Sequence, residues 1–398
     1  MNTSTTTSTH TVKTFTSFFR ERGHERIPPT SLVPPGPGNS VLFTSAGMQP
    51  LTRYLLGRPH PLGRRLTGVQ RCLRTTDLDE VGDLIHLTVF EMLGSWSLGD
   101  YDGPRSLRWG YDLLTGEFGL DPGMLHTTVF GGDGEVGPDV ESLRTWQELG
   151  LPVEPLTGDN WWSNGPTGPC GPDSEVFVWT GDGPPRGTPG TDERWMELWN
   201  HVTMRYFRHG DGSLEPLSQR SVDTGMGLER LLMVTQGKRS VFETDLFEPW
   251  LTTLPGLWRP GERQLRLLTD HLRSSIVVIG DGVRPGSSGR GYVLRRLLRR
   301  GLTTLWRDDG TRDLGDLPPG LIRHTLDHFG QPDGTDQVRE VLLTEQRKFR
   351  ELLTRGRKLL RDYRQPLTPD QVRYLHETHG LPPDLVTELL AETESLPG

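Results

Sequence analysis

Hydrophobic spacing along the chain changes character once, and the change divides it into two kinds of structure. Val12, Phe15, Phe18 and Phe19 recur at helical spacing ahead of Gly23, so residues 12–26 predict an amphipathic helix with a glycine stop. A proline-rich connection runs from Pro28 to Pro37. Between residues 40 and 240, short apolar runs such as Val41-Leu42-Phe43, Val176-Phe177-Val178-Trp179 and Met204-Arg205-Tyr206-Phe207 alternate with Gly/Pro/Asp clusters, the punctuation of strands and turns. Leu265–Ile279, Tyr292–Trp306, Pro319–Phe329 and Val338–Tyr363 then carry apolar residues at three-and-four spacing. The pattern predicts a sheet-based first half, a helical second half and a boundary between residues 238 and 262. No internal repeat and no long charge run interrupts it.

At roughly 100–200 residues per domain, 398 residues suggest two or three domains. The 49 glycines and 32 prolines fit many turns, and the lack of a G-x-y period excludes collagen. Cys72 and Cys170 cannot make a disulfide framework, and no paired C-x-x-C spacing offers a structural zinc site, so a reducing compartment is expected. The polar Met1–Ser8 segment and the lack of any run near about 20 apolar residues predict a soluble cytoplasmic protein with no membrane partner. A formal charge of −8 argues against a DNA-coating protein. Only Lys13, Lys238, Lys348 and Lys358 are lysines among the 44 basic residues; the rest are arginines, suited to bidentate phosphate contacts. A GC-rich coding sequence would give the same bias.

Four segments carry candidate chemistry. Gln70–Arg74, the acidic loop Asp77–Glu80 and His86–Met92 read as strand, loop and returning strand. An arginine leaving one strand and an aromatic on the next can hold a phosphate and stack a purine, although a plain hairpin explains the same letters. In Asp159–Glu175, glycines admit close backbone approach and Trp161 and Trp162 can wall a small cavity; a structural turn is the alternative. Leu198–Phe207 alternates like a central strand, placing Asn200, Val202 and Met204 on one face, where Asn200 must be hydrogen-bonded. Ser221-Val222-Asp223-Thr224-Gly225-Met226-Gly227-Leu228-Glu229-Arg230 sets a carboxylate, two permissive glycines and an arginine at a helix opening. Neither GxGxxG after a strand nor GK[ST] occurs, so a nucleotide would be held in some other way.

Taken together these segments resemble the catalytic core of the alanine-tRNA ligases, class II aminoacyl-tRNA synthetases. Phe43-Thr44-Ser45-Ala46-Gly47-Met48 is similar to the family's FTNAGM, Phe90–Tyr101 to FFEMLGNFSFGDY and Thr167–Gly171 to TGPCG, while Ser221–Arg230 matches SVDTGMGLER letter for letter. Asp270-His271-Leu272-Arg273, Asp281-Gly282-Val283 and Arg290–Arg296 resemble ADHIR, ADGV and RGYVLRR of its tRNA-recognising helices. The resemblance runs from about Phe15 to Leu385. It implies an α+β fold: a class II antiparallel sheet flanked by helices in a catalytic domain over residues 1–240, then an all-α tRNA-recognition-like domain over 241–398.

By the same resemblance Arg74 contacts the α-phosphate, adenine stacks on Phe90, and Arg230 holds the γ-phosphate end of a bent ATP, with Glu91, Met92 and Gly227 beside the nucleotide. Asp223 binds the alanine ammonium, and Trp162, Asn200, Val202 and Gly225 complete the amino-acid pocket. Arg74, Arg230 and Asp223 are the expected catalytic set, with Mg²⁺ and no protein-held metal. Arg290, Arg295, Arg296, Arg299 and Arg300 share a segment with Leu294, Leu297, Leu298 and Leu302, so one face can pack while the other meets acceptor-stem phosphates. A solvated arginine face is the structural alternative.

The chain departs from the family pattern in several places. Its loop after Arg74 is short and lacks the usual lysine, and Ser45 replaces Asn. Ser287 stands where the family's Asn reads the G·U pair of the acceptor stem, and Glu377 replaces its acidic partner Asp; a single hydroxyl cannot reproduce an amide's two-sided hydrogen bonding. The sequence ends at Gly398, before the family's editing and C-terminal domains, and His324-x-x-x-His328 reads as an incidental pair. The expected function is therefore ATP-dependent activation of alanine and transfer to the 3′ end of tRNA without editing. Two alternatives keep the same residues: transfer to a non-tRNA acceptor such as a small molecule or carrier protein, or a non-catalytic amino-acid or RNA-binding paralogue.

Overall fold

Helix α1 (Ser8–Glu21) forms where the first apolar stripe lies: Thr7 caps its N-terminus by accepting from the His10 amide at 3.2 Å, and Phe15, Phe18 and Phe19 are buried. Gly23, at φ +78°, turns the chain out of it, a conformation that a side chain disfavours. The structure is a computed structural model that describes residues 6–35, 41–361, 363, 366–379, 381 and 383–394. Packing divides the chain into two units, Met1–Asp270 and His271–Gly398.

The first unit continues through β1 (Glu25–Arg26), α2 (Thr52–Leu55), β2 (Arg65–Leu73), β3 (Val89–Ser97), α3 (Gly103–Asp112), β4 (Leu125–Phe130), α4 (Val140–Glu148), β5 (Val153–Leu156), β6 (Trp161–Ser163) and β7 (Gly168–Trp179). Then come β8 (Trp195–Arg208), β9 (Leu214–Gly227), α5 (Leu228–Thr235), α6 (Glu248–Trp258) and α7 (Glu262–Gly280), the last crossing the 270/271 division. The described strands form one sheet in the order β1-β2-β3-β9-β8-β7-β4-β5, with β6 paired to β7. Pairing is antiparallel except at the two ends, β1 with β2 and β4 with β5. The α+β class expected from the sequence is what forms.

Strand alternation decides which residues meet solvent and which meet helix. Leu93, Trp199 and Met226 share the face covered by α1 and α5, where the Phe15 and Trp199 rings lie 5.9 Å apart and Leu228, Leu231 and Leu232 are buried. Asp223, Gly225 and Gly227 therefore point to the opposite face. Gly225 has a steric reason to be glycine: a Cβ there would stand 2.6 Å from the Met92 sulfur. One expected element is absent. Val41–Phe43 is not a strand; Phe43 is buried while Leu42 is exposed, and this stretch is tied by isolated bonds, Thr44 N to Leu32 O and Leu73 N to Thr44 O, both 2.8 Å.

The second unit holds the rest of α7, then α8 (Gly289–Trp306), α9 (Pro319–His328), α10 (Thr335–Leu360), α11 (Pro369–His379) and α12 (Pro383–Glu394), with no strand among its described residues. The predicted leucine stripe of α8 is its buried face: Leu294, Leu297, Leu298 and Leu302 are all 0–1 % exposed. No helix among the described residues is long and apolar enough to cross a membrane.

Candidate active site

The sheet face bearing Asp223 carries a cavity of about 530 Å³ lined by Arg74, Met92, Trp161, Trp162, Asp173, Glu175, Glu197, Asn200, Val202, Asp223 and Gly225 among others. A smaller pocket adjoins it, lined by His86, Phe90, Gly227, Glu229 and Arg230 and sharing Arg74, Met92, Glu197 and Gly225 with the first. Arg74, Asp223 and Arg230, 156 positions apart at the extremes, thus converge on two pockets that share part of their lining.

Each of these side chains is fixed by its surroundings. Arg74 follows the end of β2; its amide donates to Thr88 O at 3.0 Å, its Nε donates to Ser45 O at 3.3 Å, and its guanidinium lies 5.2 Å from the Phe90 ring centre. Arg230 projects from the first turn of α5 and donates through Nη1 to Glu197 O at 2.8 Å and Glu197 Oε2 at 3.1 Å. Asp223, 6 % exposed, accepts from Trp96 Nε1 at 2.7 Å. Burial pushes its carboxyl up to about 7, against the Trp96 hydrogen bond, which pulls the other way. Met92 accepts from the Gly47 amide through sulfur at 3.2 Å.

Phe90 and Gly227 line the smaller pocket, Met92 and Gly225 both, and Trp162, Asn200 and Val202 the larger one. Glu91 lines neither; its amide donates to both carboxylate oxygens of Glu229 at 3.1 Å. In the second unit Ser287 is exposed and Arg290, Arg295, Arg296, Arg299 and Arg300 are half-buried. Two of these face inward: Arg299 Nε is 3.1 Å and Arg295 Nε 3.9 Å from Oε1 of the buried Glu345, and the Arg299 guanidinium covers the Phe349 ring at 5.1 Å. The Glu377 side chain lies outside the described residues.

Sequence reasoning missed the acids opposite Asp223. Asp173 and Glu175 on β7 and Glu197 on β8 all line the larger cavity. Burial raises the Asp173 and Glu175 carboxyls, and neighbouring acids add to it. The i, i+2 spacing of Asp173 and Glu175 was the available signal, hidden because the preceding Thr167–Gly171 reads as a turn. His86 was also passed over: it is held by Asp83 Oδ2 at 2.6 Å and Glu80 Oε2 at 3.0 Å, and the Asp83 hydrogen bond raises its pKa.

Chemically, the smaller pocket joins an aromatic ring to two guanidinium groups, which suits a base with a phosphate tail, and the larger offers a carboxylate to an ammonium. The family model for class II (A) tRNA synthetases matches residues 10–396. The chain belongs to the class II tRNA synthetases. Among curated relatives of this synthetase, the alanine–tRNA ligase of Rubrobacter xylanophilus is 39% identical over 95% of the chain and 46% of the relative. That of Treponema pallidum is 39% identical over 95% and 67%, and that of Treponema denticola 43% identical over 72% and 51%. The synthetase chain thus spans about half to two thirds of the length of these relatives.

Proposed function

We propose that this chain activates alanine with ATP and transfers the alanyl group to the 3′ end of tRNA. The observation that carries the reading is that Arg74 lines both pockets, the larger with Asp223 and the smaller with Arg230. Adenine lies on Phe90, Arg230 takes the γ-phosphate end, and Arg74 reaches the α-phosphate. Asp223 as carboxylate holds the alanine ammonium, with Trp162, Val202 and Asn200 around the methyl group. An alanine carboxylate oxygen then attacks the α-phosphorus, the bond to pyrophosphate breaks, and charge gathering on the phosphoryl oxygens is met by Arg74. In the second step the terminal ribose hydroxyl attacks the alanyl carbonyl carbon and AMP leaves.

Among the described residues no group of three or more metal-ligating side chains is arranged for a metal ion. Mg²⁺ carried on phosphates needs only one or two protein carboxylates. Glu197 and Glu229 line the smaller pocket and would hold it, and bound there it would offset negative charge on the phosphate tail. Residues 1–240 supply activation, and residues 241–398 supply the contacts to the acceptor stem, with Arg290, Arg295, Arg296, Arg299 and Arg300 of α8 as its candidate arginines. The reaction is placed in the cytoplasm, where tRNA is charged.

Alanine-dependent ATP–pyrophosphate exchange tests the first step, and labelled alanine supplied with ATP and total tRNA tests the second. Exchange followed by tRNA-bound label is the expected result; no exchange overturns the reading.

A further inference from the structure

The amino-acid end of the cavity holds more carboxyl groups than a single ammonium uses. Strand register aligns Asp173 of β7, Val202 of β8 and Asp223 of β9 in one row, and Glu175, Asn200 and Gly225 in the next. Asp173 Oδ1 accepts from Asn160 Nδ2 at 3.0 Å and Oδ2 from Asn200 Nδ2 at 3.4 Å, and the same Asn200 nitrogen is 3.4 Å from Glu175 Oε1. The Asn200 amide thereby commits its donors to the acids, and Asn160 divides its own between Asp173 and Thr128 Oγ1, the latter at 2.9 Å. Their oxygens, Asn160 Oδ1 and Asn200 Oδ1, are buried without a hydrogen-bond partner, although Asn160 is only 6 % exposed and lines the cavity. Buried acceptors in that condition are uncommon and unfavourable. Among the described residues no salt bridge joins a cation to Asp173 or Glu175; the acids Glu197 and Asp159 act on both, and Asp173 acts on Glu175. Two carboxyls beside two unpartnered carbonyl oxygens call for a cation with several N–H donors.

We propose that the site takes, besides alanine, a short α-amino acid whose side chain ends in a second ammonium, held with its α-ammonium at Asp223 and its side-chain ammonium between Asp173 and Glu175. The inference rests on reading the cavity as an amino-acid activation site. Asp173 and Asp223 stand two strands apart, roughly 10 Å. Two charge-assisted hydrogen bonds of about 2.8 Å each, with about 4–5 Å between the nitrogens of 2,4-diaminobutyrate, cover that distance; the roughly 4 Å of 2,3-diaminopropionate falls a little short of it. Its β-carbon then lies over Val202, where the alanine methyl group sits.

The test is ATP–pyrophosphate exchange by the full chain with alanine, 2,3-diaminopropionate and 2,4-diaminobutyrate, in the wild type and in Glu175→Gln, which keeps the Oε1 acceptor for Asn200 and removes the charge. At least one diamino acid should exchange with a kcat/KM no lower than that of alanine. Glu175→Gln should lower the diamino-acid-to-alanine ratio by roughly 10–100-fold, the worth of one hydrogen bond to a charged group. Asp173→Asn is scored by the same ratio if the glutamine variant fails to fold. Exchange with alanine alone, or a ratio that the variant leaves unchanged, overturns the inference and leaves the activation reading standing. Exchange with no amino acid overturns both.

Discussion

Asp270 and Thr88, 182 residues apart, are joined by two hydrogen bonds: the Thr88 amide donates to Oδ1 at 2.8 Å and its hydroxyl to Oδ2 at 2.6 Å, with both residues fully buried. The Thr88 carbonyl in turn accepts from the Arg74 amide. Helix α7 therefore pins the start of β3 and, through it, the root of the arginine that lines both pockets. Thr88→Val removes the hydroxyl donor at constant shape and should cost about 1–3 kcal/mol of stability, the worth of one buried hydrogen bond to a charged group. In exchange kinetics the KM for ATP should rise more than the KM for alanine, because Arg74 moves while Asp223 does not. Equal changes in both would mean that the clamp serves only the fold.

Asp223→Ala should lower alanine activation by about 10²–10³, the usual effect of losing one preorganised polar group, with the circular dichroism spectrum retained. Near-normal exchange at ordinary alanine concentrations would remove Asp223 from the pocket assignment.

The same carboxyl sets a pH dependence. Ammonium binding needs the carboxylate, and burial holds Asp223 protonated up to about 7. The KM for alanine should accordingly fall as pH rises through neutrality and level off above it, as initial-rate measurements between pH 6 and 9 would register.

Buried acids with raised pKa values oppose folding once they must ionise. The native state binds the extra proton, so stability is greatest below the ordinary carboxylate pKa and declines as pH rises through the raised one. Glu175→Gln removes one such group and should stabilise the ligand-free protein above neutral pH by about 1–3 kcal/mol, with little effect at pH 4. Thermal melts at pH 4 and pH 8.5 separate the two conditions; a variant no more stable than wild type at the higher pH contradicts the assignment of burial as the cause.

For the helical unit, Ser287→Asn combined with Glu377→Asp should raise charging of a duplex bearing a G·U pair in its acceptor stem. An amide offers both a donor and an acceptor where serine has one hydroxyl. Unchanged charging in a protein that already acylates this RNA well would assign the reading to another residue.

Much of this arrangement was legible because it rests on local chemistry. Phe15, Phe18 and Phe19 announced α1, the β2–β3 hairpin followed from an arginine-loop-aromatic pattern, and the leucine stripe of α8 named its buried face. What escaped reading depends on partners far along the chain. Arg295 and Arg299 look like a solvated basic face until Glu345, about fifty positions on, draws both inward. Asp173 and Glu175 count as cavity residues only because β7 bulges between Cys170 and Asp173 and sets their register against β8. Val41–Phe43 looked like a strand since apolar content alone does not supply a hydrogen-bonding neighbour.

Met92 lies so close over Gly225 that no carbon can be grown from that point of the sheet without evicting its sulfur. A change at the bottom of the chamber therefore has to be accompanied by one at Met92. Drift toward larger or differently charged substrates is written more readily into the walls, chiefly along β7 and around Trp162, which line the larger pocket and not the smaller one.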